Sequence, residues 1–266
     1  MNQLVFRGTD KGKGRYFAVT PENSPMRHLH YGRIILDAEV PTVAFETGRC
    51  ETGLICLAGR GRVAVGGETH ELERYDAIYI PRGSRVEVST EAGVDFIECA
   101  APVEGDYPVQ VVRLADVERD GSLRFTTGGP TSTRTITILI GKNVRAGRLL
   151  AGFTRSEPGH WTSWPPHEHA EMLEELYVFY DMPAPSFGVQ FVFNKAEEPE
   201  FAGAVRDGDV VLMPYGYHPN VAIPGYPINF VWIMAAHKEV EYRQYGVVNV
   251  HPDFAASGSG LEASRR

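Results

Sequence analysis

The chain has 266 residues, 43% apolar and 23% charged, long enough that roughly 70–75% of its unfolded surface is buried on folding without help from a metal or disulfide. Its net charge of −8 argues against nucleic acid as the main partner, since phosphate binding leans on clustered Lys and Arg. No apolar run approaches a membrane span, the first residues lack the apolar core of a secretory signal, and Cys50, Cys56 and Cys99 form no metal-type pairing, so a cytoplasmic globular protein is expected.

Glycine (28) and proline (18) fall at short intervals between apolar runs, the punctuation of an all-β protein. In chain order the predicted strands are 33–36, 53–57, 62–65, 77–80, 85–88 and 96–99, then 135–140, 148–153, 175–180, 188–193, 210–213 and 228–234. The two sets predict two tandem β-sandwich or barrel lobes, residues 1–125 and 126–254, joined by a strandless crossing over 116–134 in which Leu123 and Phe125 can still pack. The tail from Ala255 to Arg266 is predicted to be disordered. A near-repeat supports duplication: Asp76, four strand residues, Pro81, any residue, Gly83 in the first lobe, and Asp209, four strand residues, Pro214, any residue, Gly216 in the second.

The densest polar feature is the run from Trp164 to Tyr177. His167 and His169, two apart on an extended segment, point to one face and can reach one ion. A strand with a carboxylate at Glu174 or Glu175 follows, and His218 lies in a Pro-Tyr-Gly-Tyr-His turn. Three imidazoles and one carboxylate make a mixed N/O site for Zn, Mn, Fe, Co or Ni. Glu175 is in phase with Tyr177 and Phe179, Glu174 with Leu176 and Val178, and strand counting leaves the choice open. In the first lobe His28-Leu-His30 has no following carboxylate at that spacing and reads as a surface or interface pair, so one metal ion per chain is expected, and with no Gly-x-Gly-x-x-Gly loop, no nucleotide cofactor.

The segments 159–169, Glu174–Tyr177 and 206–219 resemble the 5-deoxy-glucuronate isomerase family of inositol catabolism, bicupins related to the 5-keto-4-deoxyuronate isomerases, with the first-lobe run 47–59 fitting the same pattern. The sequence departs from that pattern in three places: one residue rather than two between Gly216 and His218, a short link between the His and Glu pairs, and an unusual continuation at 233–239. The resemblance implies two cupin lobes, a metal held by His167, His169, Glu175 and His218, and conversion of the aldose 5-deoxy-glucuronate to the ketose 5-dehydro-2-deoxy-gluconate. It favours Glu175 over Glu174, which would face the sheet's other side or a neighbouring subunit. Tyr177 and Lys195 are the candidate proton-transfer groups, with direct hydride shift equally open; Trp161, Arg155, Gln190 and Tyr215 are the candidates for contacting the sugar acid. A homo-oligomer is expected. The competing readings are a non-haem iron dioxygenase, an isomerase of another sugar acid, and a non-catalytic sugar-acid binder.

Overall fold

A computed structural model describes residues 3–258 and 260–261. Strands dominate, interrupted by one helical turn, Leu114–Val117, and a 3-10 segment, Pro252–Ser257. No helix among the described residues is long and apolar enough to cross a membrane.

The second half builds a seven-stranded antiparallel sheet. Its order is Val5–Phe6, Val210–Met213, Leu173–Phe179, Asn229–Ala236, Leu149–Ser156, Arg134–Ile140, Arg124–Thr127. A four-stranded sheet accompanies it: Trp161–Thr162, Asn220–Ala222, Gly188–Val192 and Phe201–Val205. The first half forms a nine-stranded sheet around the 16-residue strand Cys50–Val65, which pairs with Val94–Pro102, Ala77–Ile80, Glu68–Glu73 and Arg85–Ser89.

Three expectations need correction. The strands predicted at 53–57 and 62–65 are one, because the exposed stretch Ala58–Arg60 follows a bulge at which the strand bends and changes partners. The crossing over 116–134 is not strandless: Arg124–Thr127 pairs with Arg134–Ile140, so the expected boundary at 125 falls inside a strand of the second lobe's sheet, while Leu123 and Phe125 are buried as anticipated. The tail is ordered through its described residues, with Leu261 buried in the core; residues 259 and 262–266 of the predicted disordered segment lie outside the described residues.

The repeat has a structural counterpart. Ala77–Ile80 and Val210–Met213 are both fully buried four-residue strands. The preceding aspartates do matched work. Asp76 accepts from the backbone of Glu73 (3.3 Å) and Leu114 (3.0 Å) and pairs with Arg113 (2.7 Å); Asp209 accepts from Arg206 (2.9 Å) and Gly8 (3.3 Å) and pairs with Arg7 (2.5 Å). Arg113 follows a strand, Gln110–Val112, that pairs with Ala77–Ile80, and Arg7 follows Val5–Phe6, which pairs with Val210–Met213. Each lobe thus completes its sheet with the strand leading into the other.

Two buried carboxylates tie the lobes reciprocally. Glu51 accepts the backbone N–H groups of Gly147, Arg148 and Leu149 at 2.6–2.7 Å and the Tyr79 hydroxyl at 2.6 Å. Glu174 accepts those of Arg27, His28 and Leu29 at 2.6–2.8 Å. Such charge-assisted bonds satisfy three donors and one anion at once, which is what makes burying the carboxylate tolerable. The sheet face that holds Glu174 is therefore covered by the first lobe of the same chain.

Candidate metal centre

Glu175 lies on Leu173–Phe179, a strand buried along its whole length because it packs on both faces. That is why hydrophobic alternation could not say which of Glu174 and Glu175 faces the histidines. Register and contacts decide it. Glu175 pairs with Met213 and Met234 across the sheet, and its Oε2 lies 3.0 Å from His169 Nε2 and 3.2 Å from His218 Nε2. One ligand atom from each of the three residues lies within 4.8 Å of the others, all buried. His167 stands beside them, its ring centroid 5.1 Å from that of His218 and 6.5 Å from that of His169.

The histidines are aimed by their own backbones. Nδ1 of His167 is 2.9 Å from the Pro165 carbonyl, that of His169 is 3.2 Å from Leu173 O, and that of His218 is 2.9 Å from Gly216 O. A carbonyl only accepts, so each Nδ1 carries the proton and donates it, leaving Nε2 as the donor atom for a ligand bond. The turn that makes this possible at His218 needs Gly216: its φ is +85°, and a Cβ there would stand 2.9 Å from Phe193 O. Gln190, fully buried, donates from Nε2 to the His218 carbonyl at 2.9 Å and accepts from Asn220 at 2.9 Å, fixing the His218 backbone.

This leaves the Nε2 atoms of His169 and His218 facing a carboxylate. His218 Nε2 is buried and makes no aligned hydrogen bond, although it lies close to Glu175. Burial pushes the Glu175 carboxyl up, but the His169 and His218 imidazoles outweigh it and hold the group at about 2. His167 is driven down to about 3 by burial and by the neighbouring imidazoles. For His169 burial works downward, and the bond to Glu175 overcomes it and raises the ring. An anion faced by two imidazole nitrogens, with the His167 ring alongside, is a donor set suited to a divalent cation, and the residues fit one.

The adjoining cavity, about 40 Å³, is lined by His167, His169, Glu175, Tyr177, Ser163 and Arg134, with Phe230, Trp232 and Met234 among its apolar walls and Tyr245–Val248 and Leu261 closing one side. The Tyr177 hydroxyl is 2.7 Å from Ser163 Oγ. Burial, reinforced by the Glu175 charge, keeps its pKa well above that of a free tyrosine, so Tyr177 stays protonated and is suited to donating a hydrogen bond rather than acting as a base. The short strand Asn249–Val250 pairs with His167–Glu168, and His251 N–H donates to Pro166 O at 2.8 Å.

Several sequence candidates stand elsewhere. Lys195 is exposed beyond the strand Gly188–Val192 and does not line the cavity. Arg155 bonds the hydroxyls of Tyr75 and Tyr180 and lies 3.8 Å from Asp181, on the first-lobe side. Trp161 stacks on Phe191 at 6.0 Å, and Tyr215 is half-buried; neither lines the cavity. Gln190 braces His218 instead of contacting the cavity. His28, with its ring 5.6 Å from His237, sits at the junction of the lobes. In the first lobe Thr52 pairs with Ile80 as Glu175 pairs with Met213, so a threonine occupies the carboxylate's place. Arg134 went unnoticed because it ends the polar run GGPTSTR, which reads as linker, and Trp232 because its strand reads as core.

A family model described as the KduI/IolB family matches residues 4–254. The 5-deoxy-glucuronate isomerase of Geobacillus kaustophilus is 27% identical over 245 residues, covering 84% of this chain and 85% of that protein. The 4-deoxy-L-threo-5-hexosulose-uronate ketol-isomerase of Opitutus terrae is 27% identical over 246 residues, covering 89% and 83%. Among solved structures, an IolB-like protein from Salmonella typhimurium LT2 superposes with a TM-score of 0.83 at 22% identity, covering 96% of this chain and 98% of the other. Oxalate decarboxylase of Bacillus subtilis, in a deletion mutant, shares the fold at a TM-score of 0.65 and 15% identity, covering 88% and 77%.

Proposed function

The chain belongs to the KduI/IolB family, and on that premise we propose that it is a metal-dependent aldose–ketose isomerase converting 5-deoxy-glucuronate to 5-dehydro-2-deoxy-gluconate in inositol catabolism. It works in the cytoplasm as a homo-oligomer with one ion in the second lobe, held by His167, His169, Glu175 and His218. The names of the similar isomerases support the reaction. The observation that carries the metal is the set of carbonyl-anchored imidazoles, two of them turned with Nε2 onto the Glu175 carboxylate.

The reaction is redox-neutral overall: C1 is reduced from aldehyde to alcohol as C2 is oxidised from alcohol to ketone. A divalent ion bound here supplies Lewis acidity to the carbonyl oxygen and its neighbouring hydroxyl. Tyr177, kept protonated and paired with Ser163, donates a hydrogen bond to a substrate oxygen as negative charge develops there. The apolar walls from Phe230, Trp232 and Met234 exclude water and so strengthen each of these interactions. Gln190 keeps His218 in place through its carbonyl.

The test is direct. Metal-loaded protein is mixed with 5-deoxy-glucuronate under nitrogen, without nicotinamide, and the C1 proton is followed by NMR. We expect that signal to be replaced by the two C1 protons of a ketose, and turnover to vanish with a chelator and return with added metal. An unchanged spectrum, or oxygen uptake matching turnover when air is admitted, overturns the assignment.

A further inference from the structure

We propose that the indole N–H of Trp232 is a substrate-binding donor for a chain hydroxyl of the sugar acid, at C3 or C4, beyond the two oxygens at the metal. The inference rests on the isomerase reading above. Trp232 stands on Asn229–Ala236, directly across from Tyr177 on Leu173–Phe179, and in the same register Met234 faces Glu175. Residues two apart on a strand share a face and lie about 6–7 Å apart along it. The indole therefore stands one row from the metal carboxylate on the same face of the sheet, and it lines the same cavity.

Trp232 is 2% exposed, and its Nε1 is buried with no hydrogen-bond partner among the described residues. An indole N–H can only donate, so a buried one without an acceptor is unfavourable unless a ligand provides it. The neighbours account for the ring and not for the nitrogen. Tyr245 stacks on the indole with centroids 4.9 Å apart, and the residue facing it on the other side is Gly152, where a Cβ would collide with the indole Cζ2. Packing of that kind is served equally well by an apolar ring, like the Phe230 and Met234 side chains that share this wall. A single neutral donor matches a hydroxyl oxygen, which one bond satisfies, whereas a buried carboxylate calls for several donors or a cation. Tyr177 and Trp232 are then two donors on one rung of the sheet. Tyr177 serves the oxygen on which charge develops, and Trp232 serves a hydroxyl that takes no part in the chemistry and reports that the right chain is present.

The experiment uses a ligand that cannot isomerise: the open-chain acid with C1 reduced to the alcohol, beside its 3-deoxy and 4-deoxy counterparts and its C6 amide. Equilibrium binding of each is measured by calorimetry on zinc-loaded wild type and Trp232→Phe, with metal content determined for both. In wild type, loss of one of the two hydroxyls should weaken binding about three- to tenfold. Trp232→Phe should weaken the parent acid by about the same factor and make removal of that hydroxyl nearly neutral, because the pair is already broken. A second readout is the isotope-labelled indole N–H in magnetic resonance, one of three in the chain. The Trp232 signal should move downfield with the parent acid and stay in place with the deoxy compound that lacks the partner. If Trp232→Phe does not fold, Trp161→Phe and Trp164→Phe assign that signal and it decides alone. Losses that simply multiply for both hydroxyls, with no indole shift, would show that Trp232 is only a wall and refute the proposal. Coupling confined to the amide would place the contact on the carboxylate and overturn the hydroxyl assignment, and a wild type that binds none of the acids overturns it too. Turnover of 5-deoxy-glucuronate is assayed separately. A wild type that shows the hydroxyl coupling yet isomerises nothing removes the isomerase reading and leaves the donor standing.

Discussion

Adjacent glutamates on one strand serve opposite faces, and their substitutions should separate cleanly. Glu175→Gln keeps the size but removes the charge offsetting a cation, so metal occupancy and turnover should both fall steeply. Glu174→Gln leaves the cluster's donor atoms intact but replaces a carboxylate that accepts three backbone N–H groups. A loss of about 2–4 kcal/mol in unfolding free energy is expected, with near wild-type metal content in the folded protein. Metal analysis beside a urea titration checks both; the reverse pattern would mean that Glu174 binds the ion. Strand counting leaves the choice between Glu174 and Glu175 open and only the family resemblance places Glu174 away from the histidines; neither hints that its face is covered by residues 27–29, because nothing local in Arg27-His28-Leu29 announces three converging N–H groups. His167, His169 and His218 were legible for the opposite reason: imidazoles two apart and a Pro-x-Gly turn are local signals.

At the scale of elements, strands bounded by strong turn residues were read with the right ends. Ala77–Ile80 and Val210–Met213 are found as predicted. Strands such as Thr42–Glu46, exposed or half-buried along its length, offer no continuous apolar run and went unseen. The most consequential element missed is the short strand Asn249–Val250 with the segment after it, of which only the residues from 255 read as tail. It pairs with the strand of His167, packs Phe254 on Trp164 with centroids 5.1 Å apart, and buries Leu261 beside the cavity. That wall narrows the cavity beside the histidines to about 40 Å³. A chain ending at Val248 should keep its fold but release metal to a chelator about tenfold faster or more, since His167 then loses the strand that steadies it. Unchanged release kinetics would show that the segment plays no part in holding the site.

For the whole molecule, the interface between the lobes is as specified as either core. Glu51 lies in the lobe without the histidine cluster, yet it binds the N–H groups of Gly147, Arg148 and Leu149, which lead into Leu149–Ser156, two strands from Glu175 in the second sheet. Glu51→Gln should therefore lower stability by about 2–4 kcal/mol and do so in a single unfolding transition for both lobes. Two separated transitions in calorimetry, with only the first displaced, would show that the lobes melt independently.

The contacts between the halves also have the reciprocity of an isologous dimer, in which each partner offers the same patch to the other. Val5–Phe6 and Gln110–Val112 exchange places between sheets, and Glu51 and Glu174 each grasp the opposite half. In a true homodimer, one gene writes both halves, and a change at the metal carboxylate would strike both sites together. Once the halves share a chain, they are free to diverge: Thr52 can stand where Glu175 stands in the other copy, and one half can become scaffold while the other keeps the chemistry.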